Sequence, residues 1–287
     1  MEMPRRYATP GAFRKALEER LRRIAATENV DVNRHRRQVS FDRLLARLFQ
    51  SEPAPWALKG GYALELRLRT ARATIDIDLA LQRTLPADQG DPNQVVRDLL
   101  QEAASVSLND WFSYTIGRPI LDLDAAPYGG ARYPVEAWMD ARTFARFHLD
   151  VGIGDVVMQP LEAIRGRDWL EFAGVRSPLI RIIAGEQQFA EKLHAYTLPR
   201  STPNSRVKDL IDLVLLIRLG NLREDRVVDA IRLTFERRRT HSVPSEILPP
   251  PSEWETQFRT LADECRLSAD MNEAFAEVRS FVNACGL

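Results

Sequence analysis

Lys59-Gly60-Gly61-Tyr62-Ala63-Leu64, followed after a short run by Thr74-Ile75-Asp76-Ile77-Asp78-Leu79-Ala80-Leu81, is the stretch on which the reading of this chain turns. In its second half Ile75, Ile77, Leu79 and Leu81 alternate with Asp76, Asp78 and Ala80. A period of two is that of a β-strand, so the aliphatic side chains take one face and both aspartates the other. Carboxylates one pleat apart repel each other unless a cation lies between them or one is protonated. The pattern predicts a metal site held against nucleotide phosphates; the alternative for a bare D-x-D is an edge strand with a solvated acidic face.

The residues upstream favour the first reading. Pro53 and Pro55 interrupt a helical pattern, and Trp56-Ala57-Leu58 reads as a strand end leading into Gly60-Gly61. A helix is predicted from Tyr62 to Arg69, with Ala63, Leu64, Leu66 and Leu68 to pack. The glycines then lie at a helix N-terminus, where free N–H groups and the helix dipole favour an anion and the missing side chains let phosphate approach the backbone. An isolated Gly-Gly also marks ordinary turns, so its weight comes from the D-x-D that begins fifteen positions after Gly61.

Working outward, residues 10 to 26 and 38 to 50 have apolar positions at helical spacing (Phe13, Leu17, Leu21, Ile24; Phe41, Leu44, Leu45, Leu48). A polar loop is expected over 83 to 93 and a helix over 94 to 104. Strands are expected over 111 to 116, 119 to 124, 131 to 138 and 143 to 153, where aromatic and β-branched residues are separated by Gly117, Pro119, Pro127 and Gly129-Gly130. In the last of these, Asp150 alternates with Leu149 and Val151, so a third carboxylate can join the pair. Beyond residue 180 helices are expected over 184 to 197, 206 to 219, 224 to 239, 254 to 265 and 271 to 284, with Ser205 as a cap for the second. On that helix Lys208 and Asp212 stand one turn apart, the spacing of a structural ion pair.

Composition bounds the function. The chain has 287 residues, 45% of them hydrophobic, enough for two lobes and with nothing that suggests disorder. Its 40 basic and 40 acidic residues cancel, so a nucleic-acid partner would have to meet a local patch. Two patches offer themselves: residues 1 to 50 carry 12 Lys or Arg against 6 acids, and 206 to 239 carry 9 against 6, ending in Arg237-Arg238-Arg239. The wet faces of amphipathic helices explain either patch as well. Only four of the 40 cations are lysines (Lys15, Lys59, Lys192 and Lys208), and a lysine kept in an arginine-biased chain suits a site that needs a mobile point charge. Two cysteines, Cys265 and Cys285, and four scattered histidines give no zinc-site spacing. With no apolar run of about 18 residues, a soluble protein of a reducing, cytoplasmic compartment is expected, without membrane contact.

Five motifs in order, Lys59-Gly60-Gly61-x-Ala63-Leu64, Thr74-x-Asp76-x-Asp78-Leu79, Leu149-Asp150-Val151, Glu191-Lys192-Leu193-x-Ala195 and Arg206-x-Lys208-Asp209-Leu210-x-Asp212-Leu213, resemble the AbiEii-like nucleotidyltransferase toxins, the MenT-type proteins among them. The resemblance covers about residues 55 to 219. It implies an α+β fold: a polymerase-β-like nucleotidyltransferase core, a mixed sheet flanked by helices, over residues 1 to 180, and a mainly helical second lobe over 181 to 287. Carried over by position, it implies Asp76, Asp78, Lys192 and Asp209 as catalytic residues and Asp76, Asp78 and Asp150 as ligands of Mg²⁺ or Mn²⁺. Lys59, Gly60, Gly61, Thr74, Arg206 and Lys208 would line the NTP. Tyr62 departs from the small or hydroxyl residue that often follows the glycines.

The resemblance further implies transfer of a nucleotide from NTP to the 3′ end of RNA, with the tRNA acceptor end as target and translation as the process blocked. A cognate antitoxin is an expected partner, able in this family to phosphorylate the hydroxyl at Thr74. The basic N-terminal helices and Arg237 to Arg239 are expected to hold the RNA backbone. Nucleotidylation of a protein or small molecule, kinase-like phosphoryl transfer, and a non-catalytic nucleotide- or RNA-binding protein stay open as alternatives.

Overall fold

The computed structural model describes residues 7–68, 71–85, 90–123, 126–199 and 206–286. Two helices open the chain: α1 (Pro10–Glu28) and α2 (Val32–Leu48). Thr9 caps α1 by accepting the Ala12 N–H at 3.2 Å, and proline at the first helical position needs no N–H there. The second helix begins six residues before the expected Gln38, because Asp31 accepts the Asn33 N–H at 3.0 Å and supplies a cap further upstream.

The strand β1 (Trp56–Lys59) runs straight into α3 (Gly60–Arg67), and β2 (Asp76–Leu81) follows. After α4 (Pro92–Ala104) come β3 (Ser113–Ile116), β4 (Leu121–Asp122), β5 (Gly130–Met139) and β6 (Arg142–Ile153). β7 (Glu162–Arg165) and β8 (Leu179–Ile182), which no sequence pattern announced, complete the sheet. Its order is β3-β5-β6-β2-β1-β8-β7, with β4 paired to β5. β2 and β6 pair parallel, as do β1 and β8, and the other neighbours are antiparallel. Such a mixed sheet flanked by helices is an α+β fold. β8 straddles the expected boundary at residue 180.

Alternation sends Trp56, Leu58, Ile77, Leu79, Leu149 and Val151 into one core with Phe13, Leu17, Phe41 and Leu44 of the opening helices. Each such large side chain, fully buried, contributes about 1.5–3 kcal/mol. The chain then turns helical: α5 (Gly185–Thr197), α6 (Val207–Leu219), α7 (Glu224–Arg238), α8 (Glu255–Glu264) and α9 (Met271–Ala284) pack around a second core. Leu64 and Leu68 belong to that second core, whereas Ala63 belongs to the first. α3 is thus wedged between the two, which fixes the glycine turn relative to both.

The expected cap Ser205 lies outside the described residues, and α6 starts after Arg206 with no side-chain capping bond. Both cysteines are free thiols. Among the described residues no helix is long and apolar enough to cross a membrane.

Candidate nucleotide-transfer site

The register of three strand pairs assembles the site. Antiparallel pairing of β1 with β2 sets Lys59 opposite Asp78. Parallel pairing of β2 with β6 sets Asp78 opposite Asp150 and Asp76 opposite His148. Arg132 of β5 faces Asp150 in turn. Cross-strand partners share a face, so these six polar residues lie together on the side of the sheet opposite the large core.

The glycine pair sits directly on the aspartate strand. Gly60 has φ +66°, and a Cβ there would overlap the carboxylate of Asp78. At Gly61 a Cβ would lie 2.8 Å from the Thr74 hydroxyl oxygen. Both glycines therefore let the helix N-terminus close onto Asp78 and Thr74, while Thr74 Oγ1 donates to the Asp76 carbonyl at 3.3 Å. From the helical side Gln188 donates to the Gly60 carbonyl at 2.8 Å, tying α5 to the turn.

The three carboxylates are not equivalent. Asp150 accepts two bonds from Arg132, at 2.8 Å from Nε and 2.7 Å from Nη2. The same Nη2 lies 3.4 Å from Asp76 Oδ2, and His148 Nδ1 lies 3.3 Å from Asp76 Oδ1. Asp78, half-buried, has no hydrogen bond or ion pair among the described residues. Burial and then the neighbouring Asp150 push its carboxyl up to about 6, against the pull of Lys59 and Lys192. Among the described residues no three His, Cys, Asp or Glu side chains form a ready-made metal cluster. What the site offers a divalent cation is a pair, Asp76 and Asp78, one pleat apart, with negative charge at Asp78 that no cation among the described residues touches. That donor set fits Mg²⁺ or Mn²⁺.

Behind the carboxylates the helical side contributes a buried ion cluster. Lys192 Nζ lies 2.9 Å from Asp209 and 2.8 Å from Asp212. Arg72 donates to both oxygens of Asp212, at 3.0 and 2.8 Å, and Arg206 Nη1 lies 3.3 Å from Asp209. Although burial works to lower it, the Lys192 ammonium is raised by Asp209 and Asp212, so it stays protonated. Asp212 is fully buried and already holds two cations. The expected Lys208–Asp212 pair is absent: Lys208 points outward and is exposed, because Lys192 and Arg72 reach Asp212 from the interior.

Other residues singled out from the sequence are held by protein partners. Lys59 is bound by Asp155 and lies 3.9 Å from Glu191, with Arg238 on the same two carboxylates at 3.2 and 3.8 Å. This cation pins β1 to the segment after β6 and to α5. In the basic run at the end of α7, Arg238 is mostly buried in that cluster, while Arg237, which donates to the Gly154 carbonyl at 2.7 Å, and Arg239 are exposed. In the N-terminal patch Arg43 and Arg47 are buried against Asp110, Arg36 pairs with Glu18, Arg34 with Glu65, and Arg14 donates to three carbonyls at the β5–β6 turn. Part of each charge run is thus spent on internal ion pairs, while Lys15, Arg22, Arg23, Arg237 and Arg239 stay exposed. Tyr62 turns away from the glycines and donates at 2.5 Å to Asp42, so its bulk never enters the phosphate side of the turn.

With this geometry in place the comparisons with known proteins acquire meaning. The sequence profile of the nucleotidyl transferase AbiEii toxin family, a type IV toxin–antitoxin system, matches residues 43–283. This chain belongs to that family. In fold it resembles MenT4, a nucleotidyltransferase toxin from Mycobacterium tuberculosis, at a TM-score of 0.57 and 16% identity over 94% of this chain and 98% of that one. JHP933 from Helicobacter pylori aligns at a TM-score of 0.47 and 15% identity, covering 88% of this chain and 91% of its own. A nucleotidyltransferase of the same bacterium, described as putative in its title, aligns at 0.43 and 16%, covering 85% and 90%. A search of curated proteins found no match.

Several members of the site carry no local sequence signal. Arg132 joins it only through the β5–β6 register, and Arg72 only through a contact 140 positions along the chain. Asp155 and Glu191 meet Lys59 across 96 and 132 positions, a pairing no spacing rule reports.

Proposed function

We propose that this toxin-family protein transfers a nucleotide from an NTP to the 3′ end of RNA, with the tRNA acceptor end as target and translation as the process blocked. The observation that carries the reading is Asp78, a half-buried carboxylate without an ion pair among the described residues, beside Asp76 and closed over by the Gly60–Gly61 turn. The face also carries permanently charged cations within electrostatic reach, so it can take a metal-bound polyanion.

Asp76 and Asp78 would hold Mg²⁺ or Mn²⁺, which when bound lowers the pKa of an attacking hydroxyl and neutralises charge on the leaving oxygen. The residues of the chain do the rest. Lys192, kept protonated by Asp209 and Asp212, supplies a point charge for the triphosphate, and Asp209 sets where that charge lies. The N–H groups at the start of α3 point to the same anion. Arg206, on Asp209, and the exposed Lys208 stand at the entrance of α6, where phosphate of NTP or RNA can meet them. Gly60 keeps all side-chain bulk out of the space Asp78 needs.

A toxin of this family implies an antitoxin partner. Thr74 is the residue through which such a partner could act: its hydroxyl lies against Gly61 and the Asp76 carbonyl, so a dianionic phosphate there would repel triphosphate and compete for the cation.

The test is to incubate the protein and Asp76→Ala with Mg²⁺, total tRNA and each of four NTPs labelled on the α- or the γ-phosphate. Entry of α-label into RNA with wild type alone is the expected result. Movement of γ-label only, or α-label entering protein in the absence of RNA, would replace this reading with phosphoryl transfer or protein nucleotidylation.

A further inference from the structure

Arg132 gives this site a property that the carboxylate pattern does not contain. Three aspartates on one face suggest three equal metal ligands. Their protein partners divide them instead into Asp150, held on both oxygens at 2.7–2.8 Å, Asp76, touched only at 3.3–3.4 Å by His148 and Arg132, and Asp78, which has no hydrogen bond or ion pair among the described residues. Asp150 is 9% exposed and receives both arms of the Arg132 guanidinium in the planar, two-bond arrangement that matches a carboxylate best. The pair is also built in: residues 132 and 150 are opposite each other in the ladder, so the strand register delivers the guanidinium to this carboxylate without help from a loop.

We propose that Arg132 is a resident cation that removes Asp150 from the metal-binding set and leaves Asp76 and Asp78 as the ligand pair. Charge and geometry both argue for it. Both Asp150 oxygens already take a strong charge-assisted bond, so a metal ion bound there would have to displace a bidentate arginine. Asp78, one strand away, has no such partner among the described residues. Nη2 of Arg132 also leans to 3.4 Å from Asp76 Oδ2, close enough to temper the affinity of the pair for a divalent ion. Arg132 therefore acts as a positioning residue: it sets where on the carboxylate face the cation sits and how tightly it is held. The inference rests on the reading of Asp76 and Asp78 as metal ligands.

Mn²⁺ binding, followed by electron paramagnetic resonance on the full chain without nucleotide, separates the two claims. Asp76→Asn tests the ligand pair and is expected to weaken Mn²⁺ at least tenfold; unchanged binding there overturns the metal reading itself. The double variant Arg132→Gln with Asp150→Asn removes the salt bridge at constant net charge, and is expected to keep Mn²⁺ affinity within about threefold of wild type. Arg132→Gln alone frees Asp150 and is expected to tighten Mn²⁺ about tenfold or more, whereas Arg132→Lys, which keeps the charge, is expected to stay near wild type. If Asp76→Asn weakens binding and the double variant weakens it equally, Asp150 is a ligand and the proposal is overturned. The same follows if Arg132→Gln leaves affinity unchanged. Thermal melts of each variant establish that folded protein is being compared, and Arg132→Lys with the double variant carries the test if Arg132→Gln does not fold.

Discussion

Gly60 and Asp78 occupy adjoining space so completely that no side chain can exist at position 60: a Cβ there would overlap the Asp78 carboxylate, and the backbone at φ +66° is left-handed. Gly60→Ala is therefore expected to act twice. The left-handed conformation costs a residue with a Cβ about 1–2 kcal/mol. Displacing Asp78 by an ångström or so is expected to cost about a hundredfold in turnover. Urea unfolding and label transfer measured on the same preparation check both; full activity with alanine would mean that Asp78 need not sit where it does.

Asp209 and Asp212 both touch Lys192, yet they should fail differently. Asp212 is fully buried and compensates both Lys192 and Arg72, so Asp212→Asn leaves buried cations short of a partner and is expected to destabilise by about 3–5 kcal/mol. Asp209 holds Lys192 from the side shared with Arg206. Asp209→Asn leaves Lys192 its bond to Asp212, so it is expected to lower activity more than stability. Denaturant midpoints and turnover for the two variants decide this; an unstable Asp209→Asn beside an intact Asp212→Asn would reverse the roles.

Much of this architecture could be read from periodicity because its determinants are local. Phe13, Leu17 and Leu21 recur at helical spacing and lie fully in the core, and Ile77 and Leu79 alternate with the two aspartates as the register requires. β7 and β8 were silent because four-residue strands such as Glu162-Ala-Ile-Arg165 are too short to show a period. The site was legible where one strand or one turn carries it, as with Asp76, Asp78 and Gly60-Gly61. It was illegible where partners come from distant strands and helices, as with Arg132 and Arg72. Runs of arginine were only partly legible for a related reason. A count of charges says nothing of which side chains face inward, and Arg43, Arg47 and Arg238 all do.

The inward turn of Arg43 and Arg47 makes a prediction far from the carboxylate face. Asp110, 1% exposed, receives Arg43 at 2.6 Å and Arg47 at 2.9 and 2.7 Å, and Arg47 continues to the Phe112 carbonyl at 2.8 Å. The cluster fastens α2 to the chain entering β3. Asp110→Ala strands two buried guanidinium groups and is expected to cost about 3–5 kcal/mol, seen as a drop in the urea midpoint. A loss under about 1 kcal/mol would place these two arginines in water, with the exposed cations of the N-terminal patch.

Asp42 ties stability to pH. Its carboxyl accepts the Tyr62 hydroxyl at 2.5 Å and the Arg167 N–H at 2.9 Å, but burial dominates and pushes it up to about 7. An acid whose folded-state pKa lies above its unfolded value of 3.8 binds its proton more tightly when folded. Its favourable contribution is therefore complete below 3.8 and is lost as pH rises through about 7. Between pH 5 and 8 this single group is expected to remove about 2–3 kcal/mol. The neutral form has a ready arrangement: a protonated Asp42 can donate to the Tyr62 oxygen while the Tyr62 hydrogen turns to its other acceptor, the Gln38 carbonyl at 3.3 Å. Asp42→Asn reproduces that donor at every pH, so its unfolding free energy should change less between pH 5 and 8 than that of wild type, and the two curves should converge at the acid end. Parallel curves across the whole range would show that Asp42 stays ionised in the folded protein.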